Sequence, residues 1–283
     1  MSDGAPRICY LNGEFLPLAE ARVSVLDRGF IFGDAVYEVL VASGGRVFAL
    51  EEHLARLARS LAAVLIDNPC SDHQWRALLE RLVSANGGGE LSVYVQVTRG
   101  VAERDHGFPV DITPTVFAMC RPLAVKVGVV QVDAIVVEDN RWLRCDIKAT
   151  ALLPNVLLRN QAIAAGAYEA ILTRDGLITE GSASNVFVAH GERVTTPPLS
   201  SLILPGVSRA LLIDILQGGG LVVDEAPVTL AMLRRASEVW LTSTTRDLVA
   251  VAHIDGAVVG KGGHTLAARA HREFQLYKAM RLR

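Results

Sequence analysis

This sequence has almost no excess of either charge. Its 28 lysines and arginines stand against 30 aspartates and glutamates, a net charge of −2 at pH 7. That leaves no electrostatic case for a nucleic-acid or anionic-membrane partner. Long apolar runs are scarce too. The longest uncharged stretch, Val194 to Ser208, is broken by Pro197, Pro198 and Pro205 and is too short to span a bilayer. The N-terminal segment carries Asp3, Arg7, Glu14, Glu20 and Arg22 with no apolar run, so no signal peptide is expected and the expected location is the cytoplasm. Cys9, Cys70, Cys120 and Cys145 are scattered without a C-x-x-C pair, which fits a reducing compartment. The histidines show no metal-type spacing, so no metal is expected. What is plentiful is apolar content, 51% hydrophobic against 20% charged, which excludes extended disorder. The 283 residues suffice for one large domain or two ordinary ones.

Lysine is the most informative scarcity. Only four of the 28 basic residues are lysine: Lys126, Lys148, Lys261 and Lys278. Lys261 sits in the turn Gly260-Lys-Gly-Gly, Lys278 lies among charges near the C-terminus, and Lys126 opens a Val-rich strand. Lys148 alone stands between the cluster Arg141-Trp-Leu-Arg-Cys-Asp-Ile147 and the uncharged run Ala149 to Leu158. A lysine at the mouth of an apolar segment loses water, which favours the neutral, nucleophilic amine that imine chemistry requires. A purely structural lysine is the competing reading.

The pattern of elements is α+β. Arg7 to Phe15 reads as a hairpin around Asn12-Gly13. Glu51 to Ile66 places Leu54, Leu57, Leu61 and Leu65 at helical spacing, and a second helix is expected from Asp72 as N-cap to Gly87. Leu91 to Thr98 alternates as a half-buried strand. Arg99 to Pro109 is a polar loop, and Thr115 to Cys120 is a strand again. Arg121 to Ala124 reads as a linker, dividing the chain into domains at 1–121 and 122–283. Beyond it, strands are expected at Val127–Val137, Tyr168–Thr173, Asn185–Ala189, Leu221–Ala226 and Glu238–Thr242, with turns at Asp175-Gly176 and Asp255-Gly256. Helices are expected at Asn155–Ala165, Val207–Gln217 and His264–Met280. Strands and helices do not alternate regularly, which excludes a doubly wound sheet.

Two segments suit an anion. Leu204-Pro-Gly-Val-Ser-Arg209 opens a helix, whose free amides, Gly206 and the Ser208 hydroxyl can cradle phosphate; an ordinary capped helix start is the alternative. Ser243-Thr244-Thr245 ends a strand and adds hydroxyl donors, or simply forms a turn. Between two strands, Glu180 precedes Gly181-Ser-Ala-Ser184, small residues that let a flat ligand approach the backbone, although a solvated hairpin acid reads the same. A serine nucleophile at Ser182 lacks the G-x-S-x-G elbow.

An imine lysine, a phosphate cup and an acid for a pyridine nitrogen together describe pyridoxal phosphate binding. Here the sequence resembles the fold-type IV pyridoxal-phosphate enzymes, the class IV aminotransferases. The matching segments are Asp27-Arg-Gly-Phe-Ile-Phe-Gly-Asp-Ala-Val-Tyr-Glu38, Glu52-His-Leu-Ala-Arg-Leu57, Arg141 to Lys148, Glu180-Gly-Ser-Ala-Ser-Asn-Val-Phe187, Leu204 to Ser208 and Thr242-Ser-Thr-Thr245, in the family's order. Within the group the resemblance is greatest to the D-amino acid aminotransferases, through Val97-Thr-Arg-Gly100 and Arg104-Asp105-His106-Gly-Phe-Pro109. Ser208 stands where threonine is frequent, and Pro154 follows the lysine closely enough to shift the next helix start.

The resemblance implies a small N-terminal α/β domain and a larger strand-rich pseudo-barrel domain, with pyridoxal 5′-phosphate between them. It implies transamination of D-amino acids such as D-alanine with 2-oxoglutarate or pyruvate. Lys148 would hold the cofactor and act as catalytic base, and Glu180 would face its pyridine nitrogen. Arg56, Val207, Ser208, Ser243 and Thr244 would bind the cofactor, chiefly at the phosphate. Tyr37, Arg104 and His106 would bind the substrate carboxylate, guanidinium and imidazole being suited to it. The alternative for Arg104 is a surface pair with Glu103 or Asp105. The loop would serve the neighbouring subunit of a homodimer. Rival activities are branched-chain L-amino acid or (R)-amine transamination, then an aminodeoxychorismate lyase; a non-catalytic protein of the same fold and a Ser182 hydrolase stand further off.

Overall fold

The computed structural model describes residues 7–124 and 128–282. These form two compact units, one built from residues 7–124 with Ile147–Ala151, the other from 128–146 with 152–281. A boundary near 121–125 would assign Lys148 to the second half of the chain; the segment that carries it packs with the first. Arg121 and Pro122, read as linker, instead close a strand. Lys126, read as a strand opener, lies outside the described residues.

The first unit runs β1 (Ile8–Leu11), β2 (Glu14–Pro17), α1 (Arg28–Phe32), β3 (Ala35–Ser43), β4 (Arg46–Val47), α2 (Leu50–Ala63), α3 (Asp72–Ala85), β5 (Leu91–Thr98) and β6 (Thr115–Pro122). Its six strands form one antiparallel sheet in the order β2-β1-β6-β5-β3-β4. The β1–β2 hairpin turns at Asn12 and Gly13, both at positive φ, as an Asn-Gly turn requires. Alternation puts Val36 and Leu40 of β3 and Val93, Val95 and Val97 of β5 in the same core as Leu57 and Leu61 of α2 and Trp75, Leu79 and Leu82 of α3. The N-cap of α3 is Ser71 rather than Asp72. Ser71 and Gln74 form a reciprocal capping box, and Asp72 becomes the first helical residue, where its charge suits the helix dipole. β3 escaped the sequence reading because Val39 and Val41 blur its alternation.

The second unit runs β7 (Val130–Glu138), α4 (Leu153–Ala164), β8 (Glu169–Arg174), β9 (Leu177–Gly181), β10 (Asn185–His190), β11 (Arg193–Thr196), α5 (Val207–Gly218), β12 (Val222–Glu225), α6 (Leu230–Arg234), β13 (Glu238–Ser243), β14 (Asp247–Ile254), β15 (Ala257–Val258) and α7 (Thr265–Arg281). Its sheet is mixed and curls into a half-barrel, in the order β12-β11-β10-β13-β14-β7-β8-β9 with β15 paired to β14. The β11–β12, β14–β7 and β7–β8 pairs are parallel. The turns at Asp175-Gly176 and Asp255-Gly256 hold both residues at positive φ. Pro154 lies in the first turn of α4, where its missing N–H costs nothing, so α4 starts at Leu153 rather than Asn155. Among the described residues no helix is long and apolar enough to cross a membrane.

β5 leaves the sheet through Gly100, at φ 115°, where a Cβ atom would lie 2.1 Å from the Thr113 carbonyl oxygen. Only glycine satisfies both the backbone angle and the close approach. Gly100→Ala is therefore expected to cost about 1–3 kcal/mol, read as a lowered midpoint in urea with an unchanged slope.

Candidate active site

In the first unit, Lys148 lies on the segment that bridges to β3. Ala149 pairs with Val36, the Lys148 carbonyl accepts from the Tyr37 amide at 2.9 Å, and the Lys148 amide donates to Ser60 Oγ at 3.2 Å. These bonds fix the backbone, so the half-buried side chain leaves in one direction. Its Nζ sits 4.2 Å from the centroid of the Tyr37 ring. Among the described residues it pairs with no carboxylate, in contrast to Lys278, which is bound to Asp247. Tyr37 stacks on Tyr94 with centroids 5.7 Å apart, and burial pushes the Tyr94 phenol up to about 12. Lys148 thus faces an aromatic wall that attracts a cation without neutralising it.

Beneath it is a charge cluster in which sequence reasoning assigned a role only to Arg56. Glu38, on β3, accepts from Arg56 Nε at 2.7 Å and Nη2 at 2.8 Å, and its Oε2 lies 2.8 Å from His53 Nδ1. All three side chains are buried. His53 and Arg56 are one helical turn apart on α2, so both reach the same carboxylate. Burial would raise the Glu38 pKa; the Arg56 guanidinium and His53 outweigh it and hold the carboxyl far below the usual range. Burial lowers the His53 pKa, against the pull of Glu38, so the ring is neutral and donates through Nδ1. Arg56, expected at a phosphate, has Nε and Nη2 committed to Glu38. The i, i+3 spacing of His53 and Arg56 was the available signal, but it names no partner.

Arg104 and His106 are exposed, on the loop after β5. That loop is irregular, so the alternation of an extended strand does not align them. A shared ring does: the Arg104 guanidinium lies 5.3 Å from the Phe32 centroid, and the His106 ring 5.5 Å from it. Among the described residues Arg104 forms no ion pair, which removes the reading of a surface pair with Glu103 or Asp105.

In the second unit, Glu180 sits near the end of β9 and is buried rather than solvated. Oε1 accepts from Arg141 Nη1 at 2.7 Å; Oε2 accepts from the Leu204 amide at 3.0 Å and Asn185 Nδ2 at 3.2 Å. Burial pushes the carboxyl up to about 7, against the lowering effect of Arg141 and the Leu204 amide. Its oxygens accept from three donors, the partners that suit a carboxylate. Arg141 is in turn held by Asp139, Nε to Oδ1 and Nη2 to Oδ2, both at 2.9 Å. Burial would raise Asp139, yet Arg141 and the Thr179 hydroxyl keep it below the usual carboxylate range. Asp139 and Asn185 carried no sequence signal beyond their nearness to Arg141 and Glu180.

The Leu204 amide ties Glu180 to the segment that opens α5. There the N-cap is Gly206, with no side chain to satisfy the amides of Val207, Ser208 and Arg209. A Cβ at Gly206 would lie 2.0 Å from Asn185 Oδ1. Asn185 also pairs in register with Thr242 on β13, and among the described residues the buried Thr242 hydroxyl has no partner. Ser243 and Thr244 follow directly. Ser182 is no nucleophile: its hydroxyl donates to Glu169, and among the described residues no histidine contacts it.

With this geometry in view, the comparisons with known proteins agree. The chain matches the family model of amino-transferase class IV over residues 35–254. It belongs to the class IV aminotransferases, which work with pyridoxal phosphate, and its fold is that of fold-type IV. It is 42% identical over 253 residues to the D-alanine aminotransferase of Bacillus licheniformis, covering 89% of each chain. It resembles in structure the branched-chain aminotransferase of Thermoproteus uzoniensis with norvaline, at 26% identity and TM-score 0.86, over 99% of this chain and 95% of that one. The branched-chain amino acid aminotransferase from Escherichia coli superposes at TM-score 0.88 and 24% identity, over 97% of this chain and 95% of that one.

The Glu38 cluster makes a pH-dependent prediction. Its folded pKa is depressed, so the stability it contributes is present above the unfolded value near 4.3 and is lost as pH falls toward the folded value. Glu38→Gln is expected to cost about 3–5 kcal/mol at neutral pH by leaving a buried guanidinium unpaired. The gap to wild type should shrink between pH 7 and pH 3.5 in urea titrations.

Proposed function

We propose that the protein transfers the amino group of D-amino acids such as D-alanine to 2-oxo acids such as 2-oxoglutarate or pyruvate. The observation that carries this reading is the loop with Arg104 and His106, two donors gathered on Phe32, where among the described residues no carboxylate pairs with the arginine. The chain's likeness to D-alanine aminotransferases supports it. The branched-chain alternative rests on likeness to solved structures at lower identity.

The donor set fits pyridoxal 5′-phosphate. The glycine-capped start of α5, the partnerless Thr242 hydroxyl and the buried Glu180 carboxylate suit a phosphate and a protonated ring nitrogen. When bound, the cofactor supplies the electron sink that makes the substrate's Cα–H acidic. Lys148 would hold the cofactor through its amine and would serve as the base for the proton at Cα, with the Tyr37 ring beside that amine. Glu180 would pair with the protonated ring nitrogen, and Arg141, held by Asp139, favours its ionised form against burial. The amides of Val207 and Ser208, with the hydroxyls of Ser208, Ser243 and Thr244, bind the phosphate, and Arg56 adds charge.

Arg104 and His106, with Tyr37, grip the substrate carboxylate. A carboxylate held on one side fixes where the side chain points while the nitrogen is bound, which selects one enantiomer. The exposed side chains Val25, Phe30, Phe108 and Val110 flank the loop. Such a patch calls for cover, which a second copy supplies in a homodimer whose neighbouring subunit receives the loop.

Two outcomes test this. Borohydride reduction followed by peptide mass spectrometry should find the cofactor on Lys148, and Lys148→Ala should carry none; label on Lys126, Lys261 or Lys278 would move the site. In a substrate panel, wild type should turn over D-alanine and D-glutamate and leave L-leucine almost untouched. Arg104→Ala should raise KM for D-alanine and 2-oxoglutarate about tenfold or more, the worth of a charge-assisted hydrogen bond. Faster turnover of L-leucine than of D-alanine would favour the branched-chain alternative.

A further inference from the structure

The segment Asp27 to Gly33 holds an arginine that the reaction, as described, does not use. Arg28 opens α1 behind the N-cap Asp27, whose Oδ1 accepts from the Gly29 amide at 2.8 Å. Its side chain is buried, although a guanidinium belongs in water unless its donors are filled. Nε donates to Asp34 Oδ2 at 2.8 Å. Nη1 donates to the carbonyls of Asp105 at 2.6 Å and Gly107 at 3.3 Å. Those carbonyls stand on either side of His106, and that of Asp105 immediately follows Arg104.

The backbone of the same residue is engaged as well. The Arg28 amide donates to the Gly100 carbonyl at 2.9 Å, at the point where the loop begins. The guanidinium also lies 4.9 Å from the centroid of Phe32, the ring that Arg104 and His106 share. Asp34 is locked from the other side by Arg99, through Nε at 2.8 Å and Nη2 at 3.0 Å, and Arg99 stacks 3.8 Å from the Phe108 ring farther along the loop. Between Ala102 and Pro109 the loop has no strand partner, and among the described residues Arg28 is the side chain that donates to its carbonyls.

We propose that Arg28 is a positioning residue for substrate recognition: it holds the main chain around His106, so that Arg104 and His106 present their donors to the carboxylate in one fixed arrangement. It does this from Asp34, which Arg99 anchors to the end of β5. The need for arginine follows from geometry. Its planar fork reaches the Asp34 carboxylate and the loop carbonyls at once, whereas a lysine ammonium can serve one or the other. The inference rests on the reading that the Arg104–His106 loop binds the substrate carboxylate, and it adds that the loop's conformation is set by a residue that never touches the substrate.

The test uses full-length holoenzyme with Arg28→Lys, Arg104→Ala and both together. Steady-state KM and kcat are measured for D-alanine and 2-oxoglutarate, with the melting temperature and the absorbance of bound cofactor as controls. Lysine keeps the charge beside Asp34, so the fold and the cofactor spectrum should stay as in wild type. Arg28→Lys should raise both KM values about tenfold while kcat moves less than about threefold, as expected when carboxylate binding is lost in ground and transition states alike. The double variant should be no worse in KM than Arg104→Ala alone, because residues acting through one contact are not additive. Additive KM effects, a kcat effect without a KM effect, or wild-type KM in Arg28→Lys beside a raised KM in Arg104→Ala would each overturn the proposal. Wild-type KM in Arg104→Ala would instead overturn the reading beneath it.

Discussion

A carboxylate taken out of water stays an anion only if other groups replace the hydration it has lost. Two glutamates face this constraint here and meet it differently. Glu38 receives a bidentate guanidinium and an imidazole N–H, more than enough to offset its burial, and its pKa falls. Nothing further is needed from a ligand, and the residue serves to lock β3 to α2. Glu180 is equally buried but receives one guanidinium nitrogen, one amide and one distant carboxamide, and burial still dominates, to about 7. Its charge is incompletely compensated. A protonated ring nitrogen is the kind of donor that would complete it, which is why the same residue type is structural in one unit and proposed as functional in the other.

The arginines follow from the same constraint. Arg141 can serve Glu180 because Asp139 binds its other edge through two parallel bonds, which fixes the guanidinium plane. Arg56 is fixed in the same way by Glu38. Asp34 gathers Arg28 and Arg99, and the burial that would raise its pKa is outweighed by those two guanidiniums. In each case an acid fixes the plane of an arginine; Arg141 then reaches Glu180, and Arg28 and Arg99 reach the loop after β5. The abundance of arginine relative to lysine suits this, since a forked, planar cation transmits orientation and a point charge does not.

Much of the fold was legible in the sequence where the period was strong or the turn chemistry explicit. The helix with Leu54, Leu57 and Leu61, the strand Leu91–Thr98 and the turns at Asn12-Gly13 and Asp175-Gly176 were all readable, because each states a local preference that the tertiary structure leaves intact. β3 was not: it is apolar on both faces, and nothing local separates it from a buried helix segment. In the site, Lys148 stood out through scarcity and Gly206 through its place before a helix. Glu38, His53, Asp139 and Asn185 did not. His53 pairs with Glu38 across 15 residues of chain and Arg141 with Glu180 across 39, while Asp139 and Asn185 support those two from close by, and residue type alone does not reveal which acid meets which base.

The loop after β5 shows where such reading reaches its limit. Arg104 and His106 were legible as residue types suited to a carboxylate, yet the alternation along a strand that would have aligned them does not hold there. The chain turns at Gly100 because the Thr113 carbonyl leaves no room for a side chain, and the loop then runs without regular pairing. Irregular backbone has no intrinsic preference for one arrangement of two side chains, so the order must be supplied from outside the loop. Phe32 supplies a surface that both side chains share, Arg28 supplies donors to the carbonyls that bracket His106, and Arg99 stacks against Phe108. All three lie in or beside the stretch from Asp27 to Asp34 and the end of β5. The loop that carries Arg104 and His106 is therefore as well ordered as the short, arginine-rich segment that holds it.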